Sequence, residues 1–308
     1  MARTMFNLPV EAVLSSSESK PRLEWKPTEE ATTNKPAQNF VTCVHKVKIE
    51  DLIRNVTTTW SRNLINHSLC FMVENPSDDD HYTCKIDIKT WQFWGKKGLK
   101  SFRVDEKRVD VFWDLRCAKF STSPEPSSDY YVAVVSDEEV VLLLGDQKNE
   151  AFKRTKSRPS LVDATLVHKK ENVFAKKCFF ARTMLGQGKK AHDIVIETSL
   201  SGDCEPEMWI GIDGTVSIRV MNLHWRFRGN ETLLVDDVQV QILWDVHDWL
   251  YNIPNSGPGV FIFKQGEVEC EPNTYLDSKT LKGEGCESHW RHPTDKDFCH
   301  FLYAWKLE

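Results

Sequence analysis

At 308 residues, 40% hydrophobic and 11% aromatic, with 11 Trp and 16 Phe, the chain holds enough apolar material for about two packed domains, which excludes disorder throughout. A net charge of -5 excludes a protein held to nucleic acid by bulk positive charge. No stretch approaches the ~18–20 apolar residues of a membrane-spanning helix, and Pro9 and Glu11 break the N-terminal apolar patch that a secretory signal would need.

Residues 1–40 are rich in Ser, Thr, Glu, Lys and Pro without a sustained period, and read as a flexible tail. Pattern begins at Val41, where TCVHKVKI alternates apolar and polar positions, and period-two segments follow through residues 41–145, the first β half. In VDVFWD, Val109, Val111 and Trp113 share one strand face; in YYVAVV and VVLLL, separated by SDEE, near-continuous apolar runs predict a hairpin buried on both faces. Residues 146–175 change texture to helix formers and cations, and read as a basic helical connector. Its first helix ends before Arg158-Pro159, and a second short helix or turn falls near Leu161 to Leu166. Residues 176–264 form a second β half, in which Val238, Val240, Ile242 and Trp244 alternate. The polar, aperiodic residues 265–297 read as a mobile loop, and 298–308 as a returning C-terminal strand.

The chain also resembles itself. VDEKRVDVFWDL (104–115) aligns without a gap on VDDVQVQILWDV (235–246), and the same offset pairs Trp94 with Trp225, Gly98 with Gly229 and Tyr130 with Phe261. Cys43 to Ile49 resembles Cys178 to Leu185 in character. A tandem duplication is therefore expected. The fold class is mainly β, with two similar antiparallel sandwich or barrel-like halves, sharing one core or each with its own. Nine cysteines, odd in number and often among apolar strand positions, read as free thiols of a reducing compartment, so a cytoplasmic location is expected, with nuclear entry left open.

The stretches WDLRCAKF, SPEP, YYVAVV, VVLLLGDQKNEAFKRT, HWRFRGNETLLVD, WDVHDWLY and FLYAWKLE resemble the plant domain-of-unknown-function 868 family, over about Asn39 to Glu308. The resemblance implies no activity, cofactor or ligand, and brings no catalytic residues with it.

Four groups of residues invite a functional reading. WQFWGKKGLKSFR (91–103) and its counterpart LHWRFRGNETLL (223–234) set Trp94, Lys96, Lys97 and Lys100, and Trp225, Arg226 and Arg228, beside glycines. Such a basic-aromatic turn can receive an anion or stack on a base or sugar, whereas the plain structural reading is a hairpin with a buried Trp and an edge guarded by cations. Between Asp146 and Lys190 there are 12 Lys and Arg against four Asp and Glu, a balance of +8, which attracts an anionic partner only where the cations converge. Asp245, His247 and Asp248 supply acid–base types, but a strand would put Asp245 and His247 on one face and Asp248 on the other, and no catalytic motif accompanies them. Cys286, His289, His292, Cys299 and His300 contain a Cys-x2-His spacing with no second pair, too little for a zinc site, so neither metal nor cofactor is expected. Trp113 and Trp244 read as core anchors.

The reading that follows is a non-catalytic binding or scaffold protein, presenting a basic face to a protein partner, an anionic ligand or a membrane surface. The alternative is an enzyme acting on a sugar or lipid in a cleft between the halves.

Overall fold

The computed structural model describes residues 39–49, 51–62, 66–74, 81–89, 95–121, 123–186, 190–200, 205–251, 257–265 and 298–307. Nearly all of the expected tail and of the expected loop at 265–297 lies outside the described residues.

The chain opens with a meander of β1 (Asn39–Ile49), β2 (Leu52–Arg62), β3 (Asn66–Glu74) and β4 (His81–Lys89). In β1 the odd-numbered side chains Val41, Cys43, His45, Val47 and Ile49 turn inward, as period-two patterning demands. Next come β5 (Lys97–Val104), β6 (Lys107–Asp114), the two-stranded ribbon β7 (Lys119–Phe120) and β8 (Pro126–Ser128), then β9 (Tyr131–Ser136), β10 (Glu139–Gly145), α1 (Lys148–Thr155) and β11 (Arg158–Pro159). These build a five-stranded sheet ordered β11-β10-β9-β6-β5. Its inner face packs on the β1–β4 meander, Trp60, Phe71, Val111 and Val132 sharing one apolar core. Its outer face is covered by α1 through Ala151 and Phe152, so β9 is buried at every position, as its unbroken apolar sequence requires.

A second meander, β13 (Cys178–Leu185), β14 (Lys190–Ser199), β15 (Glu207–Ile212) and β16 (Thr215–Val220), forms a four-stranded sheet. It packs on β17 (Arg228–Val235), β18 (Val238–Asp245), β19 (Gly259–Gln265) and β20 (Cys299–Lys306), around Phe179, Ile196, Trp244 and Phe261. The short helix α2 (His247–Tyr251) follows β18.

One strand joins the two arrangements. The stretch 165–175, expected in a helical connector, is instead β12 (Thr165–Ala175), and no helix covers Leu161 to Leu166. β12 runs parallel to β20 and antiparallel to β1, completing a nine-stranded sheet ordered β17-β18-β19-β20-β12-β1-β2-β3-β4. Two sandwiches thus share one long sheet. None of the sheets closes into a barrel among the described residues.

The hairpins β5–β6 and β17–β18 repeat the same local contacts at a fixed spacing. Gly98 faces Trp113 and Gly229 faces Trp244 across their ladders. Trp113 Nε1 donates to the Gly95 carbonyl and Trp244 Nε1 to the Arg226 carbonyl, both at 3.0 Å. Leu115 N–H donates to the Lys96 carbonyl, as Val246 N–H does to that of Phe227. The ladders then drift: Trp113 lies opposite Val132, whereas Trp244 lies opposite Phe261, so Tyr130 does not take the place of Phe261. Both tryptophans are buried, as expected of core anchors.

Candidate functional site

Between β16 and β17 the chain makes a tight turn around Asn222, whose φ of 53° is left-handed and whose carbonyl accepts from the Trp225 and Arg226 N–H groups. Leu223, fully buried, points into the core and anchors the turn. Two positions on, Trp225 is left outside with 86% exposure, the reverse of the buried Trp that a plain hairpin reading predicts.

The turn is braced from the side by α2. Asp245 accepts from the His247 N–H at 3.0 Å, which ends β18 and starts the helix. β18 ends at Asp245 and the chain goes on as a short helix, so Asp245, His247 and Asp248 do not divide between two sheet faces as they would in a strand. Tyr251 Oη donates to the His224 carbonyl at 2.6 Å, and the rings of His224, Phe227, His247 and Tyr251 touch one another. Two segments singled out separately in the sequence thus meet in one exposed aromatic surface, to which Met221 and Tyr251 each add 49% exposure.

The cations of this surface are matched. Arg228 pairs with Asp245 at 2.6 Å and lies over the Phe227 ring, while Arg226 reaches Glu231 at 3.4 Å. On the equivalent hairpin, Lys97 and Lys100 belong to β5 itself. Lys97 pairs with Asp114 at 3.0 Å, and Lys100 Nζ donates to the Lys85 carbonyl on β4 at 2.8 Å. Lys96 lies half-buried beside them, and Trp94 is outside the described residues. Burial opposes the Asp114 charge, but Arg116 and Lys97 outweigh it and hold the carboxyl down at about 2. The β5 set and the Trp225 set stand on edge strands of two different sheets. The described cations of 146–190 spread over α1, β11, β12, β13, β14 and the turns beside them, where Arg158 pairs with Glu139, Arg182 with Asp193, and Lys190 with Asp236.

A second polar group, unmarked in the sequence, lies at the join of the two cores. Across the inner face of the nine-stranded sheet, Thr58, Cys43, Lys169 and His300 stand in one row on four adjacent strands. The Lys169 ammonium is 3.4 Å from Glu171 and 3.8 Å from Glu125, and donates to the Arg182 carbonyl at 2.6 Å. His300 Nε2 is 3.5 Å from Glu171. Burial alone would lower the Lys169 pKa, but Glu171 and Glu125 together raise it, so it stays an ammonium rather than a nucleophile. Burial works against the Glu171 charge, and Lys169 and His300 overcome it and hold its carboxyl below the usual range. Burial drives the Cys43 thiol far up, away from a reactive thiolate. Burial also lowers the pKa of His300. Burial raises the Glu125 carboxyl as well, so the Lys169–Glu171 pair is the part of the cluster held charged, and the whole group is a structural tie between β1, β12, β20 and β13.

Of the zinc-type residues, Cys286, His289 and His292 are outside the described residues, and His300 is engaged with Glu171. Among the described residues no group of three or more His, Cys, Asp and Glu could hold a metal ion, and no helix is long and apolar enough to cross a membrane.

A mainly β chain with this shared sheet is one to set beside known families. The family model described as "Plant protein of unknown function (DUF868)" matches residues 36–306, and the chain belongs to that family. No curated protein and no solved structure matches it.

Proposed function

We propose that the chain is a non-catalytic binding protein that contacts a protein partner through the surface around Trp225, with Arg226, Arg228, Met221 and Tyr251 beside it. The observation that carries the reading is Trp225 itself, a large apolar ring 86% exposed on a turn held by hydrogen bonds and ring contacts. Trp, Tyr, Arg and Met are the residues enriched where proteins bury surface against one another. Matched cations favour a protein partner over a small anion, because Glu231 and Asp245 beside Arg226 and Arg228 already offset much of the positive charge that would hold a phosphate. The Lys96, Lys97 and Lys100 set is the weaker part of the proposed face, since Lys97 and Lys100 are committed to Asp114 and the Lys85 carbonyl.

A tandem duplication belongs to the same proposal. It is supported by the two meanders, the paired Gly–Trp ladders and the Lys97–Asp114 and Arg228–Asp245 bridges at equivalent places. In this reading the second copy of the turn presents Trp225 for contact.

The test is affinity capture from plant extract with the wild-type chain, Trp225→Ala and the surface control Leu161→Ala, whose side chain is 94% exposed. Partners retained by wild type and control but weakened about 30-fold or more by Trp225→Ala fit a hot-spot residue. An identical set captured by all three chains would sink the proposal. Tight binding of inositol hexakisphosphate, lost at high salt, would replace the protein partner with an anionic ligand.

A further inference from the structure

The outer edge of β17 differs from its counterpart in how it is guarded. A sheet edge offers a row of unpaired N–H and C=O groups that another extended backbone can complete, and proteins usually block it with cations, proline or a covering strand. The β5 edge has these defences: it carries Lys97, Lys100 and Arg103, lies against β4, and sends Lys100 across to the Lys85 carbonyl. At the ladder positions of Lys100 and Arg103, β17 carries Glu231 and Leu234, and Leu234 is 68% exposed. β17 is eight residues long, contains no proline, and keeps an unbroken register against β18. Among the described residues, β18 is its only extensive strand neighbour.

We propose that two copies of the chain pair antiparallel along β17 about a two-fold axis, joining their nine-stranded sheets edge to edge. An extended backbone is the occupant because the edge offers backbone donors and acceptors in a line. A second copy is favoured by charge: β17 is entered through Arg226 and Arg228 and left through the exposed turn Asp236–Asp237. Antiparallel pairing sets the basic end of each copy against the acidic end of the other, as a self-complementary two-fold interface requires. With Thr232 on the axis, Arg228 comes opposite Asp236 and Asn230 opposite Leu234; Glu231 on the axis would oppose two like carboxylates. Arg228 and Asp236 already have partners in their own copy, Asp245 for one and Lys190 and His192 for the other, so the cross-pair extends two existing networks.

The pairing does not depend on the Trp225 reading, and Trp225→Ala leaves it intact. The experiment is the mass of the full chain by light scattering from low to high micromolar concentration, with hydrogen exchange of the β17 amides at both ends of the range. The expected result is a rise from 35.6 kDa towards twice that mass, with β17 exchange slowing as it rises. Asp237→Lys should weaken the dimer about fivefold and remove part of its salt dependence. Thr232→Pro and Leu233→Pro test the edge directly: adjacent residues point their N–H groups to opposite sides, so one variant spares the β18 ladder, keeps native circular dichroism and becomes monomeric. A monomer at every concentration overturns the proposal. So does a dimer that survives the natively folded proline variant, or a monomer whose β17 amides already exchange slowly because another part of the chain covers the edge.

Discussion

The Gly–Trp ladders allow a sharp test of how the two hairpins are packed. A Cβ placed on Gly98 would lie 2.5 Å from Cζ2 and 2.9 Å from Cη2 of Trp113, about 1 Å inside ordinary contact. The ring cannot slide away freely, because it is 8% exposed and its Nε1 is tied to the Gly95 carbonyl at 3.0 Å. Gly98→Ala should therefore cost about 2–4 kcal/mol, from overpacking of about 1–3 kcal/mol and a weakened hydrogen bond of about 1 kcal/mol. Gly229→Ala should cost about the same, since its Cβ meets the same edge of Trp244. Trp113→Phe removes the clashing Cζ2 and Cη2 atoms, so in the double variant the alanine gains room. The measured loss should then fall short of the sum of the single losses by about 1–2 kcal/mol. Urea unfolding followed by far-ultraviolet circular dichroism reads these differences without relying on Trp fluorescence. Strict additivity, or a Gly98→Ala variant as stable as wild type, would refute the argument that glycine is there to seat the indole.

Other consequences are simpler to state. Asp114 has an ordinary value of 3.8 and is held at about 2, so its pairing adds about 2 kcal/mol that is fully present above 3.8 and lost as the pH falls towards 2; urea midpoints of Asp114→Asn and wild type should converge over that window, and parallel curves would contradict it. Lys169→Met should destabilise by about 3–5 kcal/mol by stranding the buried Glu171 carboxylate, and Lys169→Met/Glu171→Leu should recover most of it in the same unfolding assay; an unrecovered double variant would mean that packing, not charge, dominates. Cys117 is exposed while Cys43, Cys84 and Cys178 are buried, so iodoacetamide with mass spectrometry should label Cys117 well before those three in the native chain; equal rates would contradict the described burial.

Where apolar residues alternate or run on, the sequence was a sufficient guide. Strands β1, β6, β9, β10, β18 and β20 follow from patterns that leave few alternatives, and the self-alignment located Trp113 and Trp244 as anchors. β12 escaped because its inward positions include Lys169 and Glu171. Those side chains are tolerable at the centre of a sheet only because Glu125 and His300 arrive from distant parts of the chain, and no local pattern announces that. The short helix α2 has no periodic signal of its own: WDVH alternates like a strand, the five residues of the helix are too few for a helical period, and the Asp245 carboxylate that caps it acts only once β18 has ended. Trp225 shows the limit for the candidate site. Its residue type is that of the buried Trp244, and only the turn at Asn222, which gives the inward place to Leu223, decides that it faces water.

The same distant pairing governs the charge of the middle segment. In the linear chain, 146–190 carries +8 and would make a strong local field if its cations stayed together. Folding spreads the described ones over five elements and the turns beside them, and brings carboxylates from elsewhere to meet them: Glu139 to Arg158, Glu125 to Lys169, Asp193 to Arg182 and Asp236 to Lys190. The three exposed pairs contribute little to stability, about 0–1 kcal/mol each, and the four carboxylates together bring the local balance from +8 to +4, halving the charge that would steer a polyanion. In the proposed protein contact, shape and apolar burial around Trp225 therefore weigh more than the net charge of 146–190. Among the described residues, Trp225 and the outer edge of β17 are the exposed ring and the line of backbone groups on which the two proposed contacts rest.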